Sequence, residues 1–414
     1  MPLAQLAINS ISFAIWLYLA FARGNFWRLR EFNDDLAKHK APNHWPTVIA
    51  IIPARNEAFT IARAVTSLLK QNYSGEFSVI LVDDHSEDAT AQIAHQAATK
   101  LNAATRLEIH AAVPLPQGWT GKLWALNSGT AVLGCAPTTS VSPKPHTTGR
   151  TASNNLSAPA SAPAYYWFTD ADITHPPDTL HRLVSRAEHN HLDLTSVMVQ
   201  LQIKTLPERA LIPAFLFFFL KLYPPSWIVN PKASTAGAAG GCILLRSEAL
   251  QRIGGLTAIR GEVIDDCALA QAIKRSGGKI WMGLTRASVS LRSYTTFREI
   301  RDMIARTAFT QLRYSPILLA GTLLAMFLTY LAPIALLFAP NPTARILAAS
   351  TWLLMSLLYL PTIRFYRLSP PWAATLPLAS LFYTYAAALS AARYYAGRGA
   401  QWKGRTQARR RVSP

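Results

Sequence analysis

Tyr165–Ile173 reads YYWFTDADI. Four aromatic residues run into Thr169, and two carboxylates follow one residue apart, Asp170 and Asp172. A short apolar run bounded by turn signals predicts a buried strand. His175-Pro176-Pro177 ends it, because proline cannot donate to a sheet ladder. The carboxylates therefore fall at the C-terminal edge of an α/β sheet, where ligands bind. A D-x-D pair sets two hard oxygen ligands near one point, which suits Mg²⁺ or Mn²⁺ carried on a diphosphate. Two solvated loop acids give the same pattern, so the pair takes its meaning from its surroundings.

Upstream, Thr47–Pro53 (TVIAIIP) is a β-branched run stopped by proline, a strand. Arg55-Asn56-Glu57 opens a helix over Ala58–Gln71, with Ile61, Ala64, Val65, Leu68 and Leu69 at helical spacing. Phe77–Val82 is a second buried strand and ends in Asp83-Asp84. A helix from Asp88 to Lys100 and a third strand, Leu107–Ala111, complete a doubly wound α/β pattern. Gly118–Gly129 (GWTGKLWALNSG) is a loop leading into a helix, with Lys122 its only charge. Residues 135–164 are rich in Ser, Thr, Pro and Ala and cannot bury a core, which predicts a low-complexity surface insertion.

Downstream, strands are expected at Leu194–Ile203, Cys242–Leu245, Lys279–Met282 and Ala287–Leu291. Gly237–Gly241 (GAAGG) allows close backbone approach or is a flexible loop. Glu262–Asp266 (EVIDD) precedes a helix at Cys267–Arg275. Acid pairs thus recur at expected strand ends: Asp83 and Asp84, Asp170 and Asp172, Asp265 and Asp266. Like charges gathered at one edge repel, and a cation or cationic ligand would offset that.

Of the 414 residues half are hydrophobic and 15% are charged, too apolar for an ordinary soluble enzyme. The formal charge of +19 fits either nucleic acid or basic residues flanking membrane spans. Many basic residues cluster at the ends of apolar runs, so no nucleic-acid partner is expected. Residues 2–22 carry no charge and precede Arg23, Arg28 and Arg30. That is the pattern of an uncleaved anchor whose C-terminal flank lies on the cytoplasmic side. Ala20-Phe21-Ala22 keeps a cleaved signal peptide as the rival. Leu211–Leu222 is short for a span and suits an interfacial or a buried helix. Pro316–Ala339, Ile346–Ile363 and Leu368–Ala392 are uncharged span candidates. If all crossed, the basic tail would lie outside, against the positive-inside rule; one of the runs need not cross, and Leu368–Ala392 is a candidate re-entrant segment. The expected organisation is an anchor (1–30), an α/β domain (45–300), and an interfacial helix, spans and basic tail (301–414), in the inner (cytoplasmic) membrane. A transporter with a soluble domain is the non-enzyme rival. It predicts ionisable residues inside the spans, and the three C-terminal runs have none.

Taken together, PARNE (Pro53–Glu57), VDDHSEDAT (Val82–Thr90), GKLWALNSG (Gly121–Gly129), TDAD (Thr169–Asp172), IDDCAL (Ile264–Leu269) and TQLRY (Thr310–Tyr314) resemble inverting family 2 glycosyltransferases of the GT-A fold, a Rossmann-like mixed sheet. The resemblance covers about residues 45–315. It implies that Asp83 and Asp84 hold the uracil and ribose of a UDP-sugar, beside the Pro53, Asn56 and Glu57 turn. It implies that Lys122 faces the diphosphate, that Asp170 and Asp172 place a divalent cation, and that Arg313 and Tyr314 lie near the diphosphate. Asp266, with Asp265 before it, matches the general base of the family's E-D motif. Asp265 stands where the family has Glu, Thr310 where it has Gln and Tyr314 where it has Trp, which weakens a polysaccharide-synthase reading. Helix caps for Asp83-Asp84 and Asp265-Asp266, and a solvated Lys122, are the plain structural readings. His85, His175 and His181 receive no role. EVIDDCAL, ARTAFTQLRYS and the WKGR tail resemble the hopene-associated glycosyltransferases of hopanoid biosynthesis, which implies a membrane lipid acceptor. Ceramide-type and polyprenyl-phosphate glycosyltransferases are the enzyme rivals.

Overall fold

The computed structural model describes residues 2–32, 41–132, 163–399, 401–402 and 405–406. The insertion expected at 135–164 lies almost wholly outside the described residues, as does most of the basic tail. After α1 (Pro2–Phe21) come β1 (Val48–Ala54), α2 (Ile61–Leu69), β2 (Phe77–Asp83), α3 (Thr90–Lys100), β3 (Leu107–Ala111) and α4 (Gly121–Ala131). Then come β4 (Tyr165–Phe168), β5 (Ile173–Thr174), α5 (Thr179–His189), β6 (Leu194–Gln200), α6 (Leu206–Leu222), α7 (Pro225–Val229), β7 (Ile243–Arg246), α8 (Ser247–Arg252), α9 (Asp265–Arg275) and β8 (Ile280–Ser290).

The eight strands form one sheet in the order β3-β2-β1-β4-β7-β6-β8-β5. β1 pairs parallel with β2 and β4, whereas β7 runs antiparallel to β4 and β6, so the sheet is mixed. Every residue of β1 is buried, because helices cover both faces. Alternation sends Ile49 and Ile51 to one core and Val48, Ala50 and Ile52 to the other. The two strands expected at Lys279–Met282 and Ala287–Leu291 are one strand, β8. Gly283 reads as a turn signal, yet it serves packing: a Cβ there would sit 2.1 Å from the Trp281 ring.

The helix expected at Leu211–Leu222 starts at Leu206. Thr205 and Glu208 form a capping box, and a hydropathy reading misses that charged first turn. Glu208 is buried and accepts from Lys204 N, Thr205 N, Ser293 Oγ and Tyr294 N, which ties the start of α6 to the loop after β8. Beyond its other end, Lys274 Nζ of α9 donates to Trp227 O and Ile228 O of α7 and to Thr235 O. The start of α6 and the segment that follows it are therefore held by the sheet domain, while Phe217 and Phe218 pack among Trp16, Tyr330, Tyr359 and Tyr383.

The C-terminal part comprises α10 (Phe297–Ala305), α11 (Ala308–Gln311), α12 (Pro316–Met326), a π turn at Phe327–Leu331, α13 (Ala332–Ala335), α14 (Pro342–Phe365) and α15 (Leu376–Tyr395). Pro333 has no N–H and withdraws one donor from the helix just after the π turn. Ser12 Oγ and Trp16 Nε1 of α1 donate to Leu328 O and Thr329 O there, at 2.6 and 2.8 Å. Among the described residues five stretches are long and apolar enough to cross a membrane: Leu3–Phe21, Leu206–Val229, Pro316–Phe338, Pro342–Phe365 and Pro370–Tyr395. Leu3, Phe21, Ile317, Phe338, Ile346 and Leu378 point outward from them. The last stretch turns back on itself. Tyr366 meets the Leu201 backbone at the sheet domain, Trp352 Nε1 donates to Ala374 O further back along α14, and α15 returns to the domain where Arg393 pairs with Asp302 at 2.7 Å.

Candidate active site

β1, β2 and β4 are parallel and end at one edge. The antiparallel β7 brings its lead-in, Gly240–Cys242, to the same place. α4 lies close on β1 because Gly129 has no Cβ, which would stand 2.6 Å from Ile51 Cγ2. That approach carries Lys122, in the first turn of α4, to the end of β4. Lys122 Nζ lies 2.8 Å from Asp170 Oδ1 and 3.5 Å from Asp265 Oδ2. Asp265 and Asp266 occupy the first turn of α9, where the helix dipole favours negative charge; the cap position itself is Ile264. Asp266 Oδ2 accepts from Gly240 N at 2.8 Å and Oδ1 from Cys267 N at 2.7 Å. A Cβ on Gly240 would come within 3.0 Å of Lys122 Nζ and 3.3 Å of Asp266 Oδ2, so a side chain there would displace them by tenths of an ångström.

The electrostatics follow from this crowding. Burial alone would lower the Lys122 pKa, but Asp170, Asp265 and Asp266 outweigh it and hold the ammonium charged. Burial and the neighbouring Asp265 push the Asp266 carboxyl up to about 6, against Lys122 and the two amides. Burial, then Asp170 and Glu57, push Asp172 to about 6 as well, against Arg292 and Lys122. Pro53, Lys122, Asp170, Asp265 and Asp266 line one recess.

Asp83, Asp84, Asn56 and Glu57 lie along the same edge at the ends of β2 and β1. The two turns are stitched together: Asn56 Oδ1 accepts from Glu87 N at 2.8 Å, and Glu57 N donates to Thr90 Oγ1 at 2.8 Å. Arg55 Nη1 donates to Asp84 O at 2.7 Å, and Asp83 Oδ1 accepts from Ser86 N at 3.0 Å. Arg313 and Tyr314 stand in the turn after α11. Tyr314 stacks on Tyr394 at 4.5 Å and its hydroxyl bonds Thr310, so it lines a second cleft. Gln311, not singled out by the sequence motif, accepts from the Tyr223 hydroxyl at 2.9 Å.

One residue without a sequence signal supports the aspartate pair. His175 sits beside two prolines like a loop histidine, yet it is buried and burial lowers its pKa to about 3. Thr169 Oγ donates its one proton to Gly241 O at 3.0 Å. His175 must therefore donate to Thr169 from Nε2, at 2.9 Å, and accept from Ser288 Oγ at Nδ1, also at 2.9 Å. This neutral ring fixes the residue before Asp170.

Asp170 and Asp172 supply hard oxygen donors just past the end of β4. Among the described residues no three His, Cys, Asp or Glu side chains are grouped to hold a metal alone. The donor set fits an ion brought on a diphosphate, which needs one or two protein carboxylates, and does not fit an all-protein cage.

The sequence matches the model of glycosyl transferase family 2 over residues 49–132 and that of glycosyl transferase family 21 over residues 146–409. No curated protein matches it. Among solved structures, the mannosyltransferase PcManGT from Pyrobaculum calidifontis, in complex with GDP-Man and Mn2+, is similar at TM-score 0.55 and 18% identity, over 93% of this chain and 96% of that one. Glucosyl-3-phosphoglycerate synthase from Mycobacterium tuberculosis, in complex with Mg2+ and uridine-diphosphate, reaches TM-score 0.37 at 16% identity, over 64% of this chain and 79% of that one. The first likeness gives the fold, GT-A. The family 2 model covers the β1–α4 half, the family 21 model covers more than half of the chain, and on that match the protein belongs to glycosyl transferase family 21: it is a glycosyltransferase.

Proposed function

We propose that this glycosyltransferase moves a sugar, with inversion, from a nucleotide-diphosphate sugar to a hydroxyl of a membrane lipid. The observation that carries the reading is the Lys122–Asp170–Asp265 cluster beside Asp266, a buried carboxylate oriented by two backbone amides. Asp266 would take the proton of the acceptor hydroxyl, whose oxygen forms the new bond to the anomeric carbon as the bond to the diphosphate breaks. Lys122 would meet the charge that develops on the leaving diphosphate. Asp170 and Asp172 would hold a divalent cation there, which supplies further neutralisation when bound. Asp83 and Asp84, with Pro53, Asn56 and Glu57, would hold the nucleoside.

UDP is the nucleotide that the sequence resemblance implies, and GDP-Man in PcManGT keeps GDP in the test panel. Family 21 acts on lipid acceptors, ceramide among them; a hopanoid is the lipid that the sequence resemblance names. The membrane part supports an acceptor delivered from the bilayer. In this reading α1, the α12–α13 stretch and α14 cross, while Leu206–Val229 and Pro370–Tyr395 enter and leave on one side. A full crossing by α6 would separate β6 from β7, which pair in one sheet. Three crossings leave the catalytic domain and the basic tail together, on the cytoplasmic side of the inner membrane by the positive-inside rule.

The test is mass spectrometry of lipids incubated with the purified protein and a panel of UDP- and GDP-sugars. Asp266→Asn is expected to lose roughly 10²–10⁴-fold in rate, the contribution of a positioned base. Retained transfer would remove Asp266 from that role, and transfer indifferent to EDTA would remove the cation.

A further inference from the structure

A second cleft, of about 600 Å³, opens between α10, α11 and the end of α15. That is the size of a ligand site. It begins at the aspartates. Ile173 pairs with Ser290, and Leu291 N donates to Asp172 O at 2.6 Å, so Arg292 at the head of the cleft stands directly beside Asp172. Arg306, Arg393 and Arg398 line the rest.

The charge of this lining is one-sided. Its two carboxylates are engaged: Glu299 Oε2 accepts from Thr295 N and Thr296 N, and Asp302 Oδ1 accepts from Arg301 and Arg393. Arg292 faces Asp172 of the first site, and among the described residues no carboxylate pairs with Arg306 or Arg398. Tyr294 marks the junction with the first site. Burial pushes its hydroxyl up, Arg292 and Arg306 pull it down, and Asp172 pushes it up again. An electropositive cleft of guanidinium forks fits phosphate oxygens.

The position selects the carrier. Arg393 and Arg398 come after the outward-facing Leu378 and Leu381 on an apolar helix, at the end that returns to the catalytic domain. Basic residues there sit at headgroup level. Met303, Phe309 and Tyr314 add an apolar wall along the same cleft. The recess that holds Lys122 is a separate set of residues, so the donor has its own pole. We infer that the cleft binds the phosphate group of an anionic membrane lipid, beside the sugar-transfer site. This inference concerns binding and holds or fails on lipid retention, whatever happens to the rate of transfer.

Native mass spectrometry of the full-length protein in detergent gives the test, with phosphatidic acid and diacylglycerol of identical tails. Phosphatidic acid is expected to be retained roughly tenfold over diacylglycerol, the size of a lost charge-assisted hydrogen bond. R292Q/R306Q/R398Q should abolish that preference, and R345Q, at another helix end, should leave it. Equal retention of the two lipids by the wild type, or an undiminished preference in the triple variant, overturns the inference. So does displacement of the lipid by equimolar inorganic phosphate or by UDP, which would assign the cleft to a soluble phosphate or to the donor. A melting curve of the triple variant matching wild type shows that lost retention is not lost folding.

Discussion

Asp266 sits at the junction of two demands. Its oxygens are held by Gly240 N and Cys267 N, which favour the charged form, while burial and Asp265 favour the neutral one. The outcome, about 6, is suited to a base working near neutrality. Asp172 is raised to about 6 by its own burial and by Asp170 and Glu57. Both groups act deprotonated, so kcat/KM should climb as pH rises through about 6 and level off above. Below that limb each group costs roughly tenfold per pH unit. A profile flat from pH 5 to 7.5 would contradict both assignments. Gly240 carries a second prediction. Gly240→Ala forces Lys122 Nζ or Asp266 Oδ2 to shift by tenths of an ångström. Positioning losses of that kind cost on the order of tenfold or more in kcat, with the melting temperature little changed, because the strain falls on side-chain tips.

Element by element, the strands announced themselves where apolar runs met acids: β1, β2 and β4 and the acids beyond them were legible. β8 was not legible as one strand, because Gly283 imitates a turn while making room for Trp281. α6 was legible only from Leu211 onward, because its capping box is charged. His175 gave no signal at all, since only tertiary packing decides whether a histidine beside prolines is wet or buried. Residues 135–162 separate α4 from β4 in sequence, yet β4 is clasped on both sides, by β1 and by β7. Replacing that stretch with a short Gly/Ser linker should leave transfer within about twofold of wild type, since the entropy of a connection changes slowly with its length. A collapse of activity with the melting temperature intact would show that the stretch works in catalysis.

For the molecule as a whole, the proposed three crossings rest on where the ends of the apolar stretches are tied. The first turn of α6 holds Glu208, bound to Ser293 and Tyr294, and α6 is followed by Trp227, bound to Lys274; the last turn of α15 holds Arg393, bound to Asp302. Single cysteines at Asn341 and Gly397 should therefore react with a membrane-impermeant thiol reagent from opposite sides, with Gly397 sharing the side of the catalytic domain. Labelling of both from one side would refute three crossings. The contacts that α1 makes beside Pro333 bear on how the chain is made. Ser12 and Trp16, together with Asn9, which donates to Ala344 O at 2.8 Å, all belong to α1. Their partners are synthesised more than three hundred residues later. Until then the Trp16 indole and the Asn9 amide lack these acceptors, whereas the Ser12 hydroxyl also has Ile8 O within α1, at 3.0 Å. The last third of the chain thus completes the first helix, and a nascent chain stopped before Leu328 would present α1 to the quality-control machinery as an unfinished one.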